Sequence, residues 1–202
     1  PPAARSARST WRRSTAANAP LELRDDLNVY HRTLTTGSAE AQLWFDQGLV
    51  LYFGFNHDAA LGSFQRAAEL DPQDTRSVGG QAMALYNADR YPEAAVEFEK
   101  LVQASPDDPR VLFNASLPYL KMQNNGRAVE LLLKAADVDT SAEASYRGRA
   151  YKIAGPILIK LGRPAEAQKC YRWLVEREPD VCDHRQWYGF SLFSTRDYTA
   201  AL

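Results

Sequence analysis

Residues 41–72 read AQLWFDQGLVLYFGFNHDAALGSFQRAAELDP. Small and aromatic residues in this stretch return further along the chain at a fixed step. With Gly48 as anchor, Ala60, Phe64 and Pro72, with Ala67 between the last two, recur 34 residues later as Ala94, Phe98 and Pro106. A second step of 34 gives Ala128, Leu132 and Ala135, with Thr140 in place of the proline. After a slip of five residues come Gly155, Ala167, Tyr171 and Pro179, and 34 residues on from these lie Gly189 and Ala201. A period of this length marks an array of supersecondary units, each too small to bury its own apolar face.

The residue types fit that reading. Antiparallel helices approach closely only where small side chains meet, as at Gly48, Ala60 and Ala67. Large side chains such as Trp44, Phe64, Phe98 and Tyr171 fill the space between hairpins. Apolar residues fall at helical spacing, for example Phe98, Leu101 and Val102 at i, i+3 and i+4. Three of the periods close on an acidic or polar residue with proline (LDPQD, SPDDP, EPDV), where the helical region is disfavoured and the next helix begins. Ser38 is the expected N-cap of a first helix running to Phe53, followed by a second from His57 or Asp58 to Leu70. Pro118 and Pro156 fall inside predicted helices, where a proline is expected to kink them. The additional residues near Ser141–Arg147 are expected to lengthen the third junction between hairpins.

The 41–72 stretch resembles the tetratricopeptide repeat, W-x-x-L-G-x-x-Y…A-x-x-x-F…A…P, with Gln47 for Leu and Leu51 for Tyr. The resemblance covers about residues 38–202. It implies an all-α, right-handed superhelical solenoid of antiparallel helix hairpins, with four repeats (41–74, 75–108, 109–142, 148–181) and a partial fifth (182–202). It also implies a non-catalytic scaffold or adaptor that holds a peptide or protein on its concave side. The stretch YHRTLTTGSAEAQLWFDQGL is similar to uncharacterised bacterial repeat proteins, many of them exported. That similarity directs attention to the cell envelope or periplasm, with a cytoplasmic setting as the alternative.

In the family, partners contact positions 2, 5, 9, 12 and 13 of each repeat. Carried onto this chain, the positions are Gln42, Phe45, Leu49, Tyr52 and Phe53, then Arg76, Gly79, Met83, Tyr86 and Asn87. Repeat three supplies Arg110, Phe113, Leu117, Leu120 and Lys121. Repeat four supplies Arg149, Lys152, Pro156, Ile159 and Lys160. This groove would be aromatic and aliphatic at one end and basic at the other, suited to an extended or helical ligand with apolar anchors and an acidic end. The family's Lys/Asn clamp for chaperone C-termini is not reproduced, because Phe45 and Leu49 take its first two places. The competing reading is that Phe45, Leu49 and Tyr52 pack against the chain's own segment Leu21–Leu34.

Outside the repeats, residues 1–20 hold Arg5, Arg8, Arg12 and Arg13 and no acidic residue, whereas the whole chain has a net charge of −1. This Pro-, Ala- and Ser-rich stretch lacks the aliphatic content to fold and is expected to be a disordered basic tail. The alternatives are a remnant behind a removed leader, or an arm meeting an acidic surface through Trp11. Residues 21–37 read as a lead-in to the solenoid. At the other end, Trp187, Tyr188, Phe190 and Phe193 are expected to lack a partner helix. Either the sequence is a fragment or this apolar edge docks on another subunit, which is the alternative function, a structural or assembly subunit of a larger complex.

Chemistry is absent from the motifs. His31, His57 and His184 have no His or Cys at i+3 or i+4. Asp25–Asp26 and Asp107–Asp108 sit in linker-like sequence, and no P-loop, G-x-S-x-G or H-E-x-x-H occurs. Cys170 and Cys182 are expected to be unpaired, half-buried thiols. No metal, cofactor or catalytic residue is expected. The mildly acidic body offers no nucleic-acid footprint, and no apolar run approaches the ~18 residues of a membrane span.

Overall fold

The computed structural model describes residues 22–23, 31–34, 37–141 and 143–195. The proposed basic tail at 1–20 and the chain beyond Thr195 lie outside them. Among the described residues there are nine helices and no strand: α1 (Ala39–Phe53), α2 (His57–Leu70), α3 (Thr75–Asn87), α4 (Tyr91–Ala104), α5 (Pro109–Lys121), α6 (Asn125–Val138), α7 (Ser145–Lys160), α8 (Pro164–Arg177) and α9 (Cys182–Thr195). Each helix packs on the next in order, and the odd-numbered helices α1 and α3, and α5 and α7, also touch. The result is an all-α helical-repeat solenoid.

The 34-residue beat is the packing seam. Ala60, Ala94, Ala128 and Ala167 are fully buried. Phe64, Phe98, Leu132 and Tyr171, one turn further on, are buried with them. Opposite these lie the small residues Gly48, Ala82, Ser116 and Gly155, all buried. A Cβ built on Gly48 would stand 2.6 Å from the Phe64 ring, and one on Gly80 would stand 2.7 Å from the same ring. Phe64 is therefore clamped between two glycines, and nothing larger fits on either side. Gly155 plays the same part against Tyr171, at 2.7 Å.

The turns repeat as strictly as the seams. Each odd-numbered helix up to α7 closes with one residue in the left-handed region: Phe55 (φ 59°), Asp89 (60°), Gln123 (58°) and Gly162 (69°). The next N–H reaches back five residues, as from Asn56 to Leu51 and from Arg163 to Leu158, which is the Schellman closure. The following helix then starts in one of two ways. Asn56 and Asn124 accept from the N–H of Ala59 and Arg127. Before α4 and α8, Arg90 and Arg163 instead pair with Glu93 and Glu166 in the first turn, with a proline that removes one orphan donor. Between hairpins, Asp74 and Asp108 cap α3 and α5, and Ser38 caps α1 through the N–H of Ala41.

The five-residue slip resolves into two parts. The junction before α7 is longer, but α7 is also longer, at 16 residues against 13 in α5. Only part of the insertion expected to extend the junction does so. The rest winds into an additional first turn on α7 that contains Tyr146 and Arg147. Buried Asp139 organises it, accepting from the Ser141 hydroxyl and from the N–H groups of Tyr146 and Arg147. Burial works against its charge, yet these hydrogen bonds prevail and hold its carboxyl below the usual range. Pro118 and Pro156 lie inside α5 and α7, which run on past them.

Candidate partner-binding groove

The odd-numbered helices α1, α3 and α5 present their faces to one cavity of about 370 Å³. Its walls include Phe45, Leu49, Tyr52 and Phe53 from α1, Arg76, Gly79 and Met83 from α3, and Arg110 from α5. Eight of the positions carried over from the repeat pattern thus line a single concavity. Phe45 is only 3% exposed and rests on Phe64, with ring centroids 5.6 Å apart, so it forms floor rather than wall. Residues the pattern did not point to also line it: Arg32, Gly80, Asp108, Val111 and Asn114. Of these, Gly80, beside Gly79, and the Asp108 cap before Pro109 carried a readable signal. Arg110 is paired with Asp108 at 3.2 Å.

Tyr52 stands between this cavity and a neighbouring hollow of about 280 Å³ lined by Tyr52, Phe53, Phe55, His57 and Asn87. The Asn87 amide donates to the Tyr52 hydroxyl at 2.7 Å. Half-burial pushes the Tyr52 phenol above its ordinary range, with the Asn87 bond working in the opposite direction. His57 is the first residue of α2 and meets the Tyr52 and Phe55 rings, while Asn56 supplies the cap. Tyr86 and Lys121 turn elsewhere, both against Tyr91. Leu117 is half-buried against the core and does not line the cavity.

The groove does not continue evenly into α7. Phe113 is 3% exposed, because the added turn of α7 lays Tyr146 against it at 5.8 Å and Arg149 stacks its guanidinium over the ring at 4.2 Å. Phe113 is therefore not an open contact position. Beyond this stack lies a second shallow hollow lined by Arg149, Lys152, Trp173 and Arg177 together with Glu143 and Glu178. Lys152 is paired with Glu178 at 2.8 Å, so the basic end is partly neutralised by its own acids.

Residues 31–34 lie along α1. Leu34 is buried in the core cluster, its N–H donates to Gln42, and His31 meets Asp46. The competing reading set Phe45, Leu49 and Tyr52 against Leu21–Leu34; in the described part of that segment the residues that bind it are Gln42 and Arg76, and residues 24–30 lie outside the described residues. Leu49, Tyr52 and Phe53 remain on the cavity wall.

At the other end, Trp187, Phe190 and Phe193 of α9 are 40%, 47% and 68% exposed, and Tyr188 packs on the core. Trp187 stacks on Tyr171 at 6.3 Å and meets Phe190 edge-on. The two thiols differ from expectation: Cys170 is buried and Cys182 exposed, both unpaired. Burial pushes the Cys170 thiol up to about 12. Among the described residues no group of three His, Cys, Asp or Glu side chains is placed to hold a metal, and no helix is long and apolar enough to cross a membrane.

A sequence model of the family described as tetratricopeptide repeat matches residues 45–109 and 154–202, more than half of the chain. Between the two matched stretches, 110–153 holds nearly all of α5, all of α6 and the first part of α7 with its added turn. Among solved structures, a crystal structure of MamA superposes with a TM-score of 0.66 at 14% identity, covering 80% of this chain and 86% of that one. YrrB, described as a TPR protein with an unusual peptide-binding site, gives 0.64 at 20% identity, covering 80% and 81%. Protein O-mannosyl-transferase TMTC3 from Mus musculus and Homo sapiens is 23% identical over 177 residues. Those alignments take in 83% of this chain but only 19% of the transferases, so the chain spans a small part of their length.

Proposed function

The chain belongs to the tetratricopeptide repeat family, and on that premise we propose that it is a non-catalytic scaffold holding a peptide or protein in its concave groove. Its repeat units are taken as 41–74, 75–108, 109–142 and 148–181, with 182–202 opening a fifth. The observation that carries the reading is the 370 Å³ cavity shared by α1, α3 and α5. Apolar surface from Leu49, Tyr52, Phe53 and Met83 meets the cations Arg76 and Arg110 there, a combination suited to an apolar anchor followed by an acidic group. YrrB, a neighbour in fold that has a peptide-binding site, supports a peptide as ligand class.

Affinity capture from native extract tests this. Met83→Glu combined with Arg110→Glu is expected to release polypeptides that wild type and the α2 surface variant Gln65→Glu retain, with affinity falling at least about tenfold. Arg149→Glu with Lys152→Glu should weaken capture less, since both residues lie outside the cavity, in the hollow beyond the Phe113 stack. Equal capture by all these chains overturns the groove. The exposed rings of α9 favour a second reading, docking within a larger assembly. Light scattering that shows a monomer at every concentration counts against self-assembly through that edge.

A further inference from the structure

Resting on the groove reading, we propose that residues 31–34 are a built-in peptide ligand, an extended strap seated at the groove's N-terminal end, and that the same seat takes an external extended peptide with a leucine anchor. The strap is held as a bound peptide is held. One amide side chain, Gln42, accepts from the Leu34 N–H at 2.7 Å and donates to the Arg32 carbonyl at 3.0 Å. Pairing with main-chain groups two residues apart reads an extended backbone whatever its side chains are. Asp46 fixes that amide, accepting from it at 2.9 Å, and also accepts the Arg32 N–H at 3.2 Å. Arg76, from α3, donates to the Thr33 carbonyl.

Side-chain selectivity is confined to two places. Leu34 is 4% exposed and enters the core cluster, whereas His31, Arg32 and Thr33 are exposed. His31 adds a contact with Asp46 at 2.7 Å. A single apolar anchor and a backbone clamp leave the segment readily exchangeable, unlike a helix whose whole face is buried. Arg32 also lines the 370 Å³ cavity. A longer peptide that takes the seat would therefore run directly into the cavity between α1, α3 and α5.

The test is fluorescence anisotropy with a labelled peptide of sequence VYHRTLTT, added to the full-length chain. Leu34→Asp, which expels the internal anchor, should bind the peptide at least tenfold more tightly than wild type. Arg32→Pro removes the N–H that Asp46 accepts and leaves the core intact. It should shift affinity the same way by a smaller factor, so that a folding defect in the first variant does not decide the matter. Gln42→Ala added to Leu34→Asp should abolish binding, as should Leu→Asp within the peptide. Equal binding by wild type and both strap variants, or binding by none of them, overturns the proposal. So does a wild-type dimer that exchanges this segment between copies. If Met83→Glu with Arg110→Glu leaves extract capture intact, the groove reading itself fails. If capture depends on those residues but is indifferent to the strap, only the strap proposal fails.

Discussion

The first and the last of the described helices are covered differently. At the N-terminal end, α1 is covered by chain that precedes it: Gln47 donates to the Glu22 carbonyl and to Ser63, Leu34 is buried, and Trp44 is buried behind them. In α9, by contrast, Trp187, Phe190 and Phe193 are 40%, 47% and 68% exposed. Gly48 and Gly189 occupy the same place in their repeats, yet Gly48 lies hard against Phe64 while nothing stands within 4 Å of a Cβ built on Gly189. A repeat's small residue has meaning only when a neighbour presses on it.

That contrast can be broken by substitution. Phe64→Ala should cost about 3–5 kcal/mol in urea unfolding, since it empties the clamp between Gly48 and Gly80. Phe190→Ala, the same chemistry on α9, should cost no more than about 1 kcal/mol, its edge-on contact with Trp187 being the main loss. Equal costs would show that α9 is covered after all.

Next in size is a change of sign. Gly48→Ala should destabilise by roughly 1–3 kcal/mol, because the ring it meets cannot retreat from Gly80. Gly189→Ala should stabilise by up to about 1 kcal/mol through helix propensity alone. Thermal unfolding of the pair reads both. A comparable effect arises in the turns: Gln123→Gly should gain and Gly162→Ala should lose about 1 kcal/mol each, since both sit at positive φ.

The last tests concern protons and thiols. Native chain should react with one equivalent of an aromatic disulfide reagent at Cys182, and denatured chain with two, because Cys170 is buried. Cys170 and Tyr171 both titrate at about 12 in the fold, against ordinary values of 9.0 and 10.0. Their protonated forms are favoured by folding, so the associated stability is present below pH 9 and falls as pH rises toward 12. Urea midpoints measured from neutral to alkaline pH should decline over that window and not below it.

Most of the fold was readable because the residues at helical spacing within each repeat are the same ones that return at the 34-residue step. Ala60, Phe64 and their equivalents announce a seam, and Ser38 and Asn56 announce starts. The left-handed turn residue was not legible. Phe55 and Gln123 do not announce such a turn, Asp89 does so only weakly, and Gly162 displays the expected type. The groove positions were half legible. Leu49, Tyr52, Phe53, Met83, Arg76 and Arg110 line the cavity, because helix phase alone sets which way they face. Phe113 did not stay open, because the ring that covers it comes from an insertion outside the repeat pattern. Gln42 and Arg76 were indicated as contact positions, but their actual occupant lies in a segment with no periodicity to read.

The added turn on α7 has a consequence for ligand size. Three residues of helix advance the chain by about 4.5 Å, and Tyr146 and Arg149 close over Phe113 at that point. If the concavity holds a guest as proposed, that guest meets a bulkhead after three repeats. The array would then act less as an open-ended rail than as a berth of set length, and sequences too long for it would bend outward where the stacked rings begin.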